Sequence, residues 1–255
     1  MKILVACFPK SGSTFLCTLI SNLPGFSSVV YTPAHGRREQ ELSEAEIERC
    51  GAVSQQVAQV HVRGSEYTLH LIDKHNIKPI VLVRDIYDTA VSLAEHVAAE
   101  PSMPMAYFDA AIADRPFDDR LSAVFDLAIP WYFNFYVSWR RARPNAIVTY
   151  EDLILGGVER QTAYFNSIGL ETNIADVRSA LKKIRSLDTR FNVGKSGRGA
   201  QAVVMRHRRQ VERLASYYPG EDFSHIGIGN RVGNETVQSA WGAVKAGAFR
   251  LVRRF

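Results

Sequence analysis

The sequence predicts an α/β protein with a parallel β-sheet flanked by helices in three layers. Short apolar runs typical of buried strands alternate with segments whose apolar residues recur at helical spacing. The clearest strands are predicted at residues 2–8 and 80–83, and weaker ones at 27–31, 57–62 and 145–150. Ligands of such sheets bind outside the carboxyl ends of the strands, so the loops at those ends form the candidate site.

Helices are predicted between these strands and beyond them. Ser43 and Glu46 form a capping box, and acids open the helix that follows Arg84. The predicted helices are one containing Phe15–Ile20, one starting at Ser43, and 65–76, 85–99, 118–143 with an interruption near Pro130, 157–168, 176–184, 205–217 and 235–255. Residues 187–201 are predicted as a basic, glycine-rich loop. We expect one domain over residues 1–255, with a helical substrate-covering insertion around 100–143 and a C-terminal helix at 235–255.

The composition is that of a globular protein with a substantial core: 255 residues, 46% hydrophobic and 22% charged. The net charge of +5 fits either an anionic partner or a solvated basic surface. Cys7, Cys17 and Cys50 have neither metal-site nor disulfide spacing, which favours a reducing compartment. No stretch has the length and hydrophobicity of a membrane span, and the apolar N-terminal run ends in Pro9-Lys10 without a cleavage site. We therefore expect a cytoplasmic protein.

Between the first predicted strand and helix lies a tight loop of small residues, Pro9 to Thr14. This order directs loop N–H groups and the positive end of a helix at one point, which suits an anion such as phosphate. In the common triphosphate-binding loop a lysine follows the second glycine, whereas here Lys10 precedes Gly12.

The octapeptide from Phe8 to Phe15, Phe-Pro-Lys-Ser-Gly-Ser-Thr-Phe, resembles the 5′-phosphosulfate loop of sulfotransferases that use 3′-phosphoadenosine 5′-phosphosulfate (PAPS). The resemblance implies a P-loop-kinase-like fold, PAPS as sulfuryl donor and no metal. It also implies that Lys10 stabilises charge on the leaving phosphate and that Phe15 lies near the adenine. The implied ligands of the 5′-phosphate are Lys10, Ser11, Gly12, Ser13 and Thr14.

A second motif, Val83 to Ser92, is similar to the 3′-phosphate signature of the same family. In that signature an arginine ends a strand and a serine follows eight residues later in the next helix. The resemblance assigns these roles to Arg84 and Ser92, and a guanidinium can form paired hydrogen bonds with a phosphate. The alternative is that Arg84 pairs with Asp85 or Asp88 at the surface.

His61 lies at the end of the third predicted strand, just before the loop, where cytosolic-type sulfotransferases carry the histidine that acts as general base on the acceptor hydroxyl. An ordinary histidine pKa suits that role near neutral pH. The family often has lysine two residues earlier, where this chain has Gln59. A merely polar histidine at a strand end is the alternative, and His96 is the reserve candidate for the base.

Two later segments complete the resemblance. The Tyr-Glu-Asp-Leu sequence at 150–153 resembles a strand end whose tyrosine, here Tyr150, lies near the adenine. The segment 191–199 resembles the loop that closes over the cofactor, but Asn192-Val193 replaces the usual Arg-Lys. The expected cofactor-binding residues of this loop are Gly194, Lys195, Gly197 and Arg198. A basic surface loop is the alternative.

Together these motifs predict sulfuryl transfer from PAPS to an acceptor hydroxyl by in-line attack, with His61 as base. The expected acceptor is a carbohydrate or lipid-linked glycan, within the wider possibilities of glycan, lipid or small molecule, and no nucleic acid partner is expected. The aromatic group at 103–136 fits either an acceptor site or core. The basic, apolar tail fits docking on the domain, a membrane surface or a dimer contact. The rival functions are a metal-dependent P-loop kinase, with Asp85 as the magnesium acid, and a non-catalytic nucleotide-binding protein.

Overall fold

A computed structural model describes residues 1–33, 41–100, 108–185 and 196–229. Within them, five parallel strands form a single sheet in the order β2-β3-β1-β4-β5. The strands are β1 (Lys2–Cys7), β2 (Phe26–Ser28), β3 (Gln55–Val60), β4 (Ile77–Val83) and β5 (Ile147–Thr149). The predicted α/β class with a parallel sheet is confirmed.

The central strand β1 brings the candidate loops together. Ala6 pairs with Val60 of β3 on one side, and Cys7 pairs with Leu82 of β4 on the other. Three strands therefore end at the same level, and the residues that follow them lie along one edge of the sheet. All of β1 after Lys2 is buried, as expected of a strand covered on both faces.

Helices cover both faces of this sheet. Leu4 and Ala6 pack in one apolar cluster with α4 and α6, while Ile3, Val5 and Cys7 pack in a second cluster with α1, α8 and α9. The helices are α1 (Ser13–Ser21), α2 (Glu44–Arg49), α3 (Glu66–Lys74), α4 (Ile86–Ala99), α5 (Phe117–Ala123), α6 (Ile129–Ala142), α7 (Tyr150–Leu153), α8 (Gly157–Ser167), α9 (Ile174–Arg185), α10 (Arg198–Ala202) and α11 (Met205–Ser216). The result is the predicted three-layer arrangement.

The helical region predicted at 118–143 is interrupted by a wide turn near Pro130, as expected from the sequence. Val124–Ala128 forms a π-helical turn between α5 and α6, immediately ahead of Pro130. Proline has no N–H to give to the preceding turn, and a wide turn accommodates that loss. Most of the aromatic side chains here are core; the buried members are Phe108, Phe125, Tyr132, Phe133, Phe135 and Tyr136.

The remaining predictions concern the loop at 187–201, the C-terminal helix at 235–255 and membrane spans. Arg198–Ala202 is a short helix where a loop was expected, because Gly197 turns the chain in a left-handed conformation with φ 90°. The rest of the predicted closing loop, up to residue 195, and the C-terminal helix at 235–255 lie outside the described residues. In the described part of the chain, no helix has the length and hydrophobicity to cross a membrane.

Candidate nucleotide-binding and active site

The loop after β1 is shaped by two left-handed residues. Lys10 has φ 67° and Gly12, the N-cap of α1, has φ 86°. The Ser11 hydroxyl donates to the Phe8 carbonyl at 2.8 Å, which closes the turn. Ser11 and Ser13 are buried, whereas the Lys10 side chain is half-buried. A left-handed lysine is uncommon, and such backbone outliers are concentrated at functional sites.

The remaining residues of the predicted loop motif open helix α1. Thr14 is exposed and Phe15 is half-buried, so both side chains lie near the surface at the amino end of α1. Their placement is compatible with the predicted contacts to phosphate and adenine. Those contacts stay predictions.

Tyr150 packs directly against this loop. A Cβ atom at Gly12 would lie only 2.7 Å from Cδ2 of the Tyr150 ring, so only glycine fits here without displacing the ring. Tyr150 is buried because β5 ends at Thr149, whose hydroxyl accepts from the Asp152 N–H and starts α7. The loop after β1 and the segment that begins at Tyr150 therefore meet.

Arg84 joins the loop after β4 to the loop after β1. Its guanidinium lies over the Tyr150 ring, 4.4 Å from the centroid, and Nη1 donates to the Lys10 carbonyl at 3.2 Å. Nη2 lies 3.9 Å from a carboxylate oxygen of Asp88. The residue is only 7% exposed, so surface pairing with an acid does not describe it. A largely buried cation at the end of a strand can bind an anion strongly because water screens it little.

Asp85, the proposed magnesium acid of a kinase, caps helix α4. Its Oδ1 accepts from the N–H groups of Tyr87 and Asp88 at 2.9 and 3.0 Å. Ser92 lies two turns into the same helix and is buried, at 8% exposure. Arg84 and Ser92 are thus placed at opposite ends of the first two turns of α4.

Asp88 is a site residue that sequence reasoning missed. Its buried carboxylate accepts from the N–H groups of Gly197 and Gly199, both at 2.6 Å, and from the Ser196 hydroxyl at 3.1 Å. From the sequence alone it is only an acid in the first turn of a helix and an alternative surface partner of Arg84. Its helical spacing with Ser92, at i and i+4, was the available signal that the two share a face.

The closing segment is described from Ser196 onward, and there it lies against helix α4; the predicted role of Arg198 stays a prediction. Arg198, predicted to contact the cofactor, forms an ion pair with Glu95 of α4. Gly197 lies against α4 through its hydrogen bond to Asp88. Gly194 and Lys195 lie outside the described residues, so their predicted roles stay predictions.

His61 follows β3 and lies against the end of β1. Its Nδ1 lies 3.0 Å from the Cys7 carbonyl oxygen and 3.2 Å from the Cys7 thiol. A carbonyl only accepts, so a hydrogen bond to it requires the tautomer with the imidazole proton on Nδ1. The Cys7 thiol can then donate to the Val60 carbonyl, 3.8 Å away. In this tautomer Nε2 is the ring nitrogen that could accept a proton, and the role of His61 as base stays a prediction.

Helix α6 holds the loop that carries His61. The indole N–H of Trp139 donates to the Val62 carbonyl at 2.9 Å, and the Gly64 N–H donates to the Ser138 hydroxyl at 3.0 Å. Trp139 is fully buried. The aromatic helix thus fixes the position of the candidate base from within the core.

One edge of the sheet therefore carries a left-handed loop with a lysine, a buried arginine and a histidine. Such a set can bind anionic groups and accept a proton. Among the described residues, one group of acids and histidine is close enough to share a metal ion: Glu44, Glu48 and His75. It contains none of these site residues.

Comparisons with known proteins found a match in structure but none in sequence. No family model and no curated protein matches the chain. The crystal structure of mouse sulfotransferase SULT7A1 complexed with PAP is similar to it, with a TM-score of 0.66 and 17% sequence identity, over 88% of this chain and 86% of that one. At this identity the similarity shows the fold, and the chain has the fold of a sulfotransferase, as the loop motifs predicted.

Proposed function

We propose that this protein is a sulfotransferase that transfers the sulfuryl group of PAPS to an acceptor hydroxyl. The observation that carries the proposal is the convergence of three loops at one sheet edge. Arg84 from β4 donates to the Lys10 carbonyl of the loop after β1. His61, which follows the strand on the other side of β1, has Nδ1 3.0 Å from the Cys7 carbonyl oxygen. The sulfotransferase fold supports the same function.

The donor has two anionic ends, and the site has two cationic regions to match them. The loop from Lys10 to Thr14 would hold the 5′-phosphosulfate with its N–H groups, hydroxyls and ammonium. Arg84 and Ser92 would hold the 3′-phosphate. The buried Arg84 supports this assignment, because its guanidinium is fixed against the Tyr150 ring before any ligand arrives.

The residues of the chain then have distinct roles in the transfer. PAPS supplies the sulfuryl group when bound. His61 would take the proton of the acceptor hydroxyl at Nε2 while the acceptor oxygen bonds to sulfur and the bond from sulfur to the phosphate oxygen breaks. Lys10 would stabilise the negative charge that grows on that phosphate oxygen, which is usually the largest contribution in such transfers.

The acceptor that we propose is a hydroxyl of a carbohydrate or a lipid-linked glycan. The support is the basic surface of α11, where Arg206 and Arg209 are exposed and suit an anionic glycan. Arg208 differs from them, because it lies over the Tyr87 ring and donates to the Ala200 carbonyl. The buried aromatic residues of α6 are core and contribute no acceptor surface.

A transfer assay with labelled PAPS, screened over glycans, lipids and phenols, tests the proposal. Wild-type protein should label at least one acceptor class. His61→Ala should lower turnover by about 100-fold or more while leaving affinity for PAP, adenosine 3′,5′-bisphosphate, largely intact. His70→Ala, which removes an exposed histidine of α3, is the matched control and should keep full activity.

The rival functions give different results in parallel assays. A P-loop kinase would label an acceptor from ATP with magnesium and not from PAPS. A non-catalytic protein would bind PAP without labelling any acceptor. Full activity of His61→Ala would show that another group is the base, and absence of both PAPS binding and transfer would overturn the proposed function.

A further inference from the structure

A carboxylate that neither the loop motifs nor the proposed chemistry uses lies at the centre of the nucleotide-binding region. Asp88 is 2% exposed, and its two oxygens receive three hydrogen bonds from one short segment. Oδ2 accepts from the Gly197 N–H and the Ser196 hydroxyl, and Oδ1 accepts from the Gly199 N–H. The nearest of these donors in the sequence is 108 residues away.

These contacts fix the segment 196–199, which we call the docked segment, on helix α4. A buried carboxylate is costly unless donors compensate it, and N–H groups bonded to a charged acceptor form strong hydrogen bonds. The backbones also approach closely, because a Cβ at Gly199 would lie 2.5 Å from the Tyr87 carbonyl carbon. The docked segment is thus held by charge and by shape.

The face of α4 that receives the docked segment is also the face of the proposed phosphate site. Asp88, Ser92 and Glu95 follow one another at i, i+4 and i+7, so they lie along one stripe of the helix. Arg198 pairs with Glu95 at the far end of that stripe. At the near end, Arg84 lies 3.9 Å from Asp88. The backbone of the docked segment is therefore anchored at Asp88, and the Arg198 side chain reaches along the stripe that carries Ser92 as far as Glu95.

We propose that Asp88 is a positioning residue for nucleotide binding: its carboxylate holds the docked segment in place as one wall of the 3′-phosphate site beside Arg84 and Ser92. The inference rests on the proposed function. Asp88 itself would not contact the nucleotide; it would act by accepting from the N–H groups of Gly197 and Gly199.

Removal of the Asp88 charge distinguishes a positioning role from a purely electrostatic one, because the two roles predict opposite changes in the affinity for a phosphate. A carboxylate 3.9 Å from Arg84 offsets part of its positive charge, so its neutralisation alone should tighten the binding of a phosphate. If Asp88 positions the docked segment, its neutralisation should weaken binding instead, because the wall of the site is released.

The test is calorimetric titration of PAP into the full chain with Asp88→Asn. We expect affinity about tenfold weaker than wild type, the size of a lost hydrogen bond to a charged group. The KM for PAPS should rise by a similar factor with kcat changed less, whereas a loss of folded protein would lower the active fraction alone. Asp73→Asn, which neutralises an exposed acid bonded to Arg143 of the α6–β5 turn, is the charge-matched control.

Amide hydrogen exchange provides a second readout that does not depend on activity. The Gly197 and Gly199 amides should exchange faster in Asp88→Asn than in wild type. Ser196→Ala removes one hydrogen-bond donor to Asp88 without changing α4, and it is the substitute test if Asp88→Asn does not fold. This variant should weaken PAP binding by about threefold. If wild type binds PAP and Asp88→Asn binds it equally well or more tightly, the proposal is overturned. Where Asp88→Asn does not fold, the same result in Ser196→Ala overturns it. Failure of the wild type to bind PAP would overturn the proposed function, and this inference with it.

Discussion

The two halves of the candidate site are built in different ways. The loop after β1 takes its shape from consecutive residues, with left-handed backbone at Lys10 and Gly12. The half around α4 is assembled from side chains, in which Arg84 and Asp88 join segments far apart in the sequence. The first half should therefore be sensitive to changes in backbone shape and to loss of its lysine. The second should be sensitive to changes of charge.

The largest effect is expected at the lysine of the first half. Lys10→Ala should lower sulfuryl transfer by about 100- to 1,000-fold, because it removes the ammonium that stabilises the leaving group. Initial rates with labelled PAPS measure the loss. The control is Lys2→Ala at the opposite end of β1, which should leave the rate unchanged. A Lys10→Ala enzyme with a normal rate would remove the lysine from the mechanism.

The matching change in the second half should affect binding. Arg84→Ala should weaken PAP affinity by about 10- to 100-fold, because a buried guanidinium bound to phosphate is lost. Titration calorimetry gives the dissociation constant. Arg160→Ala, which removes an exposed arginine of α8, is the control. Equal affinities for Arg84→Ala and wild type would refute the phosphate assignment.

Backbone shape is tested at Gly12. Gly12→Ala should destabilise the protein by about 1–3 kcal/mol, because alanine is strained at φ 86° and its Cβ meets the Tyr150 ring. Urea unfolding measures the difference. Gly51→Ala is the matched control, since a Cβ there has no neighbour within 4 Å. Equal destabilisation in the two variants would mean that the loop does not depend on its glycine.

A smaller effect is expected at an acid beside the second half. Burial is the largest influence on the Glu151 carboxyl and raises its pKa above the ordinary value of 4.5. Folding therefore favours the protonated form, and the stability that this gives at low pH is lost as the pH rises through the raised pKa. Glu151→Gln should raise the Tm at neutral pH, and the gain should disappear below the ordinary pKa.

Thermal unfolding at the two pH values checks this sign. Glu171→Gln, at an exposed acid, should change the Tm little at either pH. A lower Tm for Glu151→Gln at neutral pH would show that the charged carboxylate stabilises the folded protein through its bond from Ser196.

The same contrast explains how much could be predicted from the sequence. The strand, glycine and helix around Lys10 are local, so the fold class and the loop could be predicted, and Arg84 could be placed because it follows an apolar strand. The role of Asp88 could not, because its donors are distant in the sequence and nothing local marks them. Helix α10 was missed for a local reason: its glycine-rich sequence predicts a loop, whereas Gly197 serves as the left-handed N-cap of the helix.

On the proposed function, two separate regions of the site hold the two phosphates of one nucleotide. The most direct test compares the affinities of wild-type protein for PAP and for adenosine 5′-monophosphate, which lacks the 3′-phosphate. We predict that PAP binds at least about tenfold more tightly, and that Arg84→Ala removes most of this difference. Equal affinity of the wild-type protein for the two nucleotides would contradict the account.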